Sequence, residues 1–200
     1  MLIDVDQILE MHEFVVNRWH HHGIHNPYAG FLHIACRECA LNYRLWHQED
    51  VAHGRNVSDR ELADAKRTID KLNRLRNSHI ELMDDWIAEA LERRGVITSQ
   101  RLPLNTETPG SVIDRLSILA LRVFHLEEQL HRDDTDAMYR RSVLARRNCC
   151  FQQRTDLVWS LKHLIRDITL GRKRHKTYRQ YRIYNAALLD FHCHGRRAAA

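Results

Sequence analysis

Glycine and proline are both scarce, with 7 glycines and 3 prolines in 200 residues. Folds built from many short strands need these residues at their turns, so their scarcity argues against a loop-rich β fold and favours helices. No self-similarity of solenoid length is visible along the chain, which argues against a repeat architecture.

Long hydrophobic runs are also missing. No segment approaches the roughly 20 apolar residues needed to cross a bilayer, so we expect no membrane span. The chain begins with acids close to its N-terminus, in MLIDVDQILEMHEF, which is not typical of a signal peptide. An odd number of cysteines, 5, does not suggest a disulfide framework. We therefore expect a cytoplasmic protein.

The excess of positive charge is small, at +5 with a pI near 9.1. Such a balance favours phosphate-bearing partners only weakly. A nucleic-acid-binding protein would be expected to carry a larger excess and a known recognition module, and neither is found.

Apolar residues recur at helical spacing in five long segments. We predict helices over about 3–22, 28–53 and 59–94, a fourth capped by Ser111, and a fifth ending before Gly171. Ser58 and Glu61 form a capping box at the start of the third, and Gly95 ends it. The fourth is apolar nearly all round and should be central. The sequence therefore predicts an all-α, single-domain bundle over 1–171, followed by a basic, tyrosine-rich C-terminal arm over 172–200.

Polar residues interrupt the apolar stripes of four predicted helices. Such groups need partners when buried, so they form either a network of structural salt bridges or a polar cavity for a ligand. On the second to fifth helices they are, in order, Glu38, Asn42 and Glu49; Asp70, Asn73, Asn77 and Asp84; Asp114, Ser117 and His125; and Arg146 and Gln153.

The segment NTETPGS leads directly into the fourth helix, whose N-terminus would suit an anion. The alternative is an ordinary capped loop, because the spacing of a P-loop is absent. The C-terminal arm interleaves cations with tyrosines in RKRHKTYRQYRIYN. It could hold a phosphate and stack a ring, or pack on the bundle by its tyrosines. His20, His21, His22 and His25 fit a solvated surface.

Four segments together resemble a bacterial all-helical family of unknown function. They are LNYRLWHQED, KRTIDKLNRLRN, LNTETPGSVIDRLSILALRVFHLEEQ and YRQYRIYN. Members of that family are often encoded beside glycosyltransferases of cell-surface glycan assembly. The resemblance implies a context of nucleotide sugars and phosphosugars, and it supplies no catalytic residues.

The leading hypothesis is a protein that binds a phosphorylated small molecule, a nucleotide sugar or sugar phosphate, in cell-envelope glycan biosynthesis. The phosphate would lie near the hydroxyl groups of the NTETPGS loop and near the cationic side chains of Arg154, Lys176 and Arg179. Trp46 or Tyr181 would stack on a ring of the ligand. The predicted site residues are Asn42, Trp46, Glu49, Asp50, Asp70, Asn73, Asn77, Thr106, Thr108, Ser111, Asp114, Arg154, Lys176, Arg179 and Tyr181.

Two alternatives remain. One is a Mg²⁺-dependent, all-helical nucleotide pyrophosphohydrolase, because Glu81 and Asp84 form an ExxD pair, although Glu49-Asp50 stands where a second such pair is expected. Mg²⁺ is the only cofactor that this chemistry suggests. The other is a non-catalytic interaction partner of a glycosyltransferase, or a homo-oligomer in which Phe14, Val15 and Trp19 contact another subunit.

Overall fold

The computed structural model describes residues 2–54, 56–97 and 99–180. Over these residues the chain forms five α-helices and no strand, so the predicted all-α fold is confirmed. The helices are α1 (Val5–His21), α2 (Gly30–Ala52), α3 (Asp59–Arg93), α4 (Pro109–Leu130) and α5 (Ala137–Thr169). None of these described helices contains an apolar stretch of the length required to span a lipid bilayer.

Short polar side chains begin four of the helices by accepting hydrogen bonds from free backbone N–H groups. Asp4 caps α1, Asp136 caps α5, and Ser58 forms the predicted capping box with Glu61 at the start of α3. Gly95 and Gly171 each lie two residues beyond the last residue of α3 and α5, where they stop the helices as predicted. Their φ angles of 66° and 65° lie in the left-handed region that glycine favours.

The predicted N-cap of α4 is wrong. The cap is Thr108, whose hydroxyl accepts a hydrogen bond from the backbone N–H of Ser111, and Pro109 occupies the first helical position. Because the helix begins three residues earlier than expected, Asp114 lies in its second turn. It therefore does not cap the helix, and its burial requires another explanation.

The helices pack as two pairs, α2 with α3 and α4 with α5, and α1 lies against α2, α4 and α5. Helix α4 contacts each of the other four helices, which confirms its predicted central position. Residues of all five helices form the main core, among them Ile8, Met11, Cys39, Met83, Ile87, Ile113, Leu116, Leu161 and Ile168.

Several predicted core positions lie at the surface. The apolar periodicity of the third helix predicts that Leu62 is buried, but it is 46% exposed near the start of α3. Arg146 and Gln153, which interrupt the predicted apolar stripe of the fifth helix, are exposed on α5. In the N-terminal half of α5 only Val143 and Cys150 are buried. On α1, Val15 and Trp19 are buried in the chain's own core, which leaves Phe14 as the exposed one of the three residues considered for self-association.

The described part of the C-terminal arm, residues 172–180, lies over the connection between α3 and α4. The backbone N–H of Arg174 donates to the carbonyl of Pro103 at 3.0 Å, and Lys173 Nζ donates to Asn105 Oδ1 at 3.1 Å. His175 Nε2 lies 2.8 Å from the carbonyl oxygen of Asp84. The remaining residues of the predicted arm lie outside the described ranges.

Helices α3 and α4 approach each other closely at Gly110. A Cβ atom there would lie 2.6 Å from the carbonyl oxygen of Ile80 and 3.0 Å from the carboxyl carbon of Asp84. The backbone N–H of Gly110 also donates to Asp84 Oδ1 at 2.8 Å. This position therefore leaves no room for a side chain.

We predict that Gly110→Ala lowers the free energy of unfolding by about 1–3 kcal/mol, because the backbone of α3 cannot move aside. Urea denaturation followed by circular dichroism measures the change. The control is Gly23→Ala, where a Cβ meets nothing within 4 Å. Equal effects of the two substitutions would contradict the close approach.

Candidate functional site

A polar cleft opens between α2, α3 and α4, with a volume of about 330 Å³. It contains five of the predicted site residues, and all of them come from α2 or α3. The cleft is lined by Asn42, Leu45, Trp46, Glu49 and Asp50 of α2, Asn73 and Arg76 of α3, and Ile118, Leu121 and Arg122 of α4.

A buried ion pair lies beside the cleft. Arg76 donates from Nε to Asp114 Oδ1 at 2.6 Å and from Nη2 to Asp114 Oδ2 at 2.7 Å, in the bidentate geometry of strong Arg–carboxylate pairs. The side chain of Asp114 is 5% exposed and that of Arg76 is 26% exposed. Burial by itself would raise the pKa of Asp114, but the hydrogen bonds from Arg76 lower it below its usual value.

Asn42 connects this ion pair to α2. Its Nδ2 atom lies 2.5 Å from Glu38 Oε1, 2.7 Å from Ser117 Oγ and 3.0 Å from Asp114 Oδ1. An amide nitrogen carries two protons, so these three acceptors share them. The polar stripes of α2, α3 and α4 thus meet in one buried network rather than remaining separate.

Glu38 is fully buried within this network, and its Oε2 atom has no hydrogen-bond partner among the described residues. Burial raises the pKa of Glu38 well above its usual value, and the negative charge of Asp114 raises it further. Two neighbouring carboxyl groups cannot both be ionised without a large cost, so the proton stays on Glu38 and the charge on Asp114.

Three partly buried histidines lie behind the cleft wall. The ring centroid of His20 lies 4.9 Å from that of His125 and 5.4 Å from that of His47. His125 stacks on Trp46 with centroids 4.7 Å apart and rings 9° from parallel. Burial is the main cause that lowers the pKa of each histidine. The interpretation of His20 as a solvated residue is wrong, because its ring also stacks on Phe124.

The hydroxyl groups of the NTETPGS loop lie away from the cleft. Thr106 is exposed, and Thr108 and Ser111 hydrogen-bond each other at the start of α4. The anion at this helix N-terminus is the protein's own Asp84, which accepts the Gly110 N–H. The adjoining hollow, next to Lys176, has a volume of only about 10 Å³, which is room for a single water.

The other predicted site residues are placed apart from the cleft. Arg179 pairs with Glu81 and Asp85, Arg154 pairs with Glu13, and Asp70 pairs with Lys66. Asn77 lies on α3, one residue beyond Arg76, and is not among the residues that line the cleft. Tyr181 lies outside the described residues. The structure therefore does not bring all fifteen predicted residues into one site.

Sequence reasoning missed Arg76 and Arg122, which both line the cleft, and His12, which is fully buried. Arg76 lies three residues after Asn73, so the same helical spacing could have placed it on the polar strip. His12 lies in the apolar stripe of α1, and neither ring nitrogen has a hydrogen-bond partner among the described residues. Burial lowers its pKa to about 4.

The acids of the ExxD pair are already engaged elsewhere. Glu81 accepts from Arg179 and from the backbone N–H of Gln180, and Asp84 accepts from Gly110. Among the described residues, no group of three or more histidines, cysteines, aspartates or glutamates is placed to hold a metal ion. Cys36 and Cys39, which are spaced as a CxxC pair on α2, are buried, and burial raises the pKa of Cys36 to about 12.

We predict that Arg76→Leu lowers the free energy of unfolding by about 3–5 kcal/mol, because Asp114 then remains buried without its cation. The double variant Arg76→Leu, Asp114→Leu should regain most of this loss in urea denaturation. The control is Arg67→Leu in the exposed pair with Asp64, which should cost less than about 1 kcal/mol. A loss at Arg76 no larger than the control's would show that the pair is unimportant.

We predict that His12 makes the fold less stable in mild acid. Its folded pKa, about 4, lies below the usual 6.5, so the unfolded chain binds more protons and stability falls as the pH drops through this window. Replacing His12 by Phe should remove about 2–3 kcal/mol of the loss between about pH 6.5 and pH 4.5.

The measurement is the difference in unfolding free energy between the parent and His12→Phe at each pH. This subtraction cancels the contribution of Glu38, which is the same in both proteins. Because the pKa of Glu38 is raised in the folded chain, its contribution to stability decreases as the pH rises above the pKa of an unfolded glutamic acid. The control substitution is His22→Phe at an exposed position. A difference that stays constant with pH would contradict the assignment to His12.

Comparison with known proteins identifies a family. No curated protein and no solved structure matches the chain. One family model matches residues 32–177, which include the whole of α2 to α5 except the first two residues of α2, and every residue that lines the cleft. This match covers well over half of the sequence, and the chain therefore belongs to the family described as protein of unknown function DUF4254.

Proposed function

We propose that this protein binds a phosphorylated sugar metabolite, a sugar phosphate or a nucleotide sugar, in the cleft between α2, α3 and α4. The observation that carries the proposal is the lining of this cleft by two arginines, two asparagines, two carboxylates and one tryptophan. Ligand pockets typically combine apolar and aromatic surface with a few polar groups that fix orientation, and this cleft has both.

Each kind of lining residue has a counterpart in such a ligand. Arg122 is exposed, and within the described residues it has no ion-pair partner, so its guanidinium group is available for a phosphate. Trp46 offers an apolar ring at the cleft wall, fixed by its stacking on His125. Asn73, Glu49 and Asp50 provide amide and carboxylate groups for hydroxyl groups.

The cleft is also built for a fixed shape. Its inner end rests on the Arg76–Asp114 ion pair, which orders side chains of α3 and α4 before any ligand arrives. Preorganisation of this kind lowers the entropy that a ligand must lose on binding. The resemblance of the sequence to a family often encoded beside glycosyltransferases supports a role in cell-envelope glycan biosynthesis, in which such metabolites are common.

We predict that sugar phosphates or nucleotide sugars raise the melting temperature of the purified protein, because a ligand that binds only the folded state stabilises it. The assay is a thermal-shift screen with and without Mg²⁺, followed by titration calorimetry. Arg122→Gln should weaken binding of the best ligand about tenfold or more, which corresponds to the loss of one charge-assisted hydrogen bond.

The matched control is Arg141→Gln, which removes an exposed arginine of α5 outside the cleft. It should bind the same ligand as tightly as the parent protein. The proposal fails if no member of the panel raises the melting temperature, or if Arg122→Gln and Arg141→Gln bind equally well.

A further inference from the structure

The charges that line the cleft do not suit a ligand of high negative charge. Arg76 uses two of its donor groups on Asp114, so its positive charge is largely neutralised inside the protein. Arg122 is then the one lining cation, among the described residues, that is not paired with an acid, and the carboxylates of Glu49 and Asp50 line the same cleft. The side chains of these two acids are 51% and 64% exposed.

This arrangement can hold one phosphate group but repels a second. Two carboxylates within the same cleft raise the energy of each added negative charge, and the neighbouring histidines are kept neutral by burial. Carboxylates and amides bind sugar hydroxyl groups well, because they accept hydrogen bonds in several directions. The acids of the cleft therefore favour the polyhydroxylated part of a ligand over its phosphate.

The volume of the cleft points to the same ligand class. About 330 Å³ lies at the small end of the volumes of ligand pockets. A nucleotide sugar has more than twice as many non-hydrogen atoms as a sugar phosphate. A cleft of this size suits the smaller molecule, whereas the larger one would extend beyond it.

We infer that the cleft recognises the sugar ring of a monophosphorylated sugar, with Glu49 and Asp50 accepting from its hydroxyl groups and Arg122 binding its single phosphate. The inference rests on the proposed function and narrows it to one substrate class. Affinity comes mainly from the sugar, and the phosphate adds one ionic contact at the cleft edge.

The test uses substitutions that should change the affinity in opposite directions, depending on whether the cleft mainly recognises the sugar or the phosphate. Glu49→Gln and Asp50→Asn keep the shape of each side chain and remove its charge. If the cleft recognises the sugar, each variant binds a sugar phosphate about tenfold more weakly, since a carboxylate is a stronger acceptor than an amide. If the cleft mainly recognises phosphate, removing a nearby negative charge strengthens binding.

Titration calorimetry on the full chain compares aldose 1-phosphates of hexose, N-acetylhexosamine and heptose type with their nucleotide sugars and with inorganic phosphate. Asp133→Asn, at an exposed position in the α4–α5 connection, is the control that should leave affinity unchanged. The expected order places one aldose 1-phosphate at least tenfold above both its nucleotide sugar and inorganic phosphate.

Two results would overturn the inference while leaving the proposed function standing. One is a nucleotide sugar that binds more tightly than its sugar phosphate, and the other is unchanged or tighter sugar phosphate binding by both Glu49→Gln and Asp50→Asn. Absence of binding by every compound in both classes would remove the proposed function and this inference together.

Discussion

The Arg76–Asp114 ion pair joins the three helices that build the cleft. Asp114 lies on α4, Arg76 on α3, and Asn42 brings α2 to the same carboxylate. A buried carboxylate without these partners would be costly, so the register of the three helices is tied to their contact. Arg76 and Asn42 also line the cleft, so this buried network forms part of its wall.

A second carboxyl group, that of Asp84, occupies the position at the start of α4 where an external anion would otherwise bind. Helix N-termini attract anions, and the NTETPGS segment has the small and hydroxylated residues that would admit one. Here Gly110 allows the backbone of α4 to approach α3 so closely that Asp84 itself accepts the free N–H. The same chemistry that would bind an external phosphate is used to fix the angle between two helices.

Helix number, the capping box at Ser58 and the glycine stops at Gly95 and Gly171 could be read from the sequence, because they depend on local rules. For Asn42, Asp114 and Ser117, the sequence shows only that polar residues lie on apolar stripes and does not show that they meet. Which groups pair across helices depends on rotations and on side-chain reach that spacing does not define. Arg76 shows this limit, because a long cation on a mixed helix reads as solvent-exposed until its partner is known.

Glu38 ties folding of this protein to the exchange of a proton. In the folded chain it is enclosed, beside the charge of Asp114, and keeps its proton well above the pH at which a free glutamic acid loses it. The unfolded chain, with that side chain in water, releases the proton to the buffer at any pH above the usual pKa of glutamic acid. The heat absorbed on denaturation must therefore vary with the ionisation enthalpy of the buffer chosen.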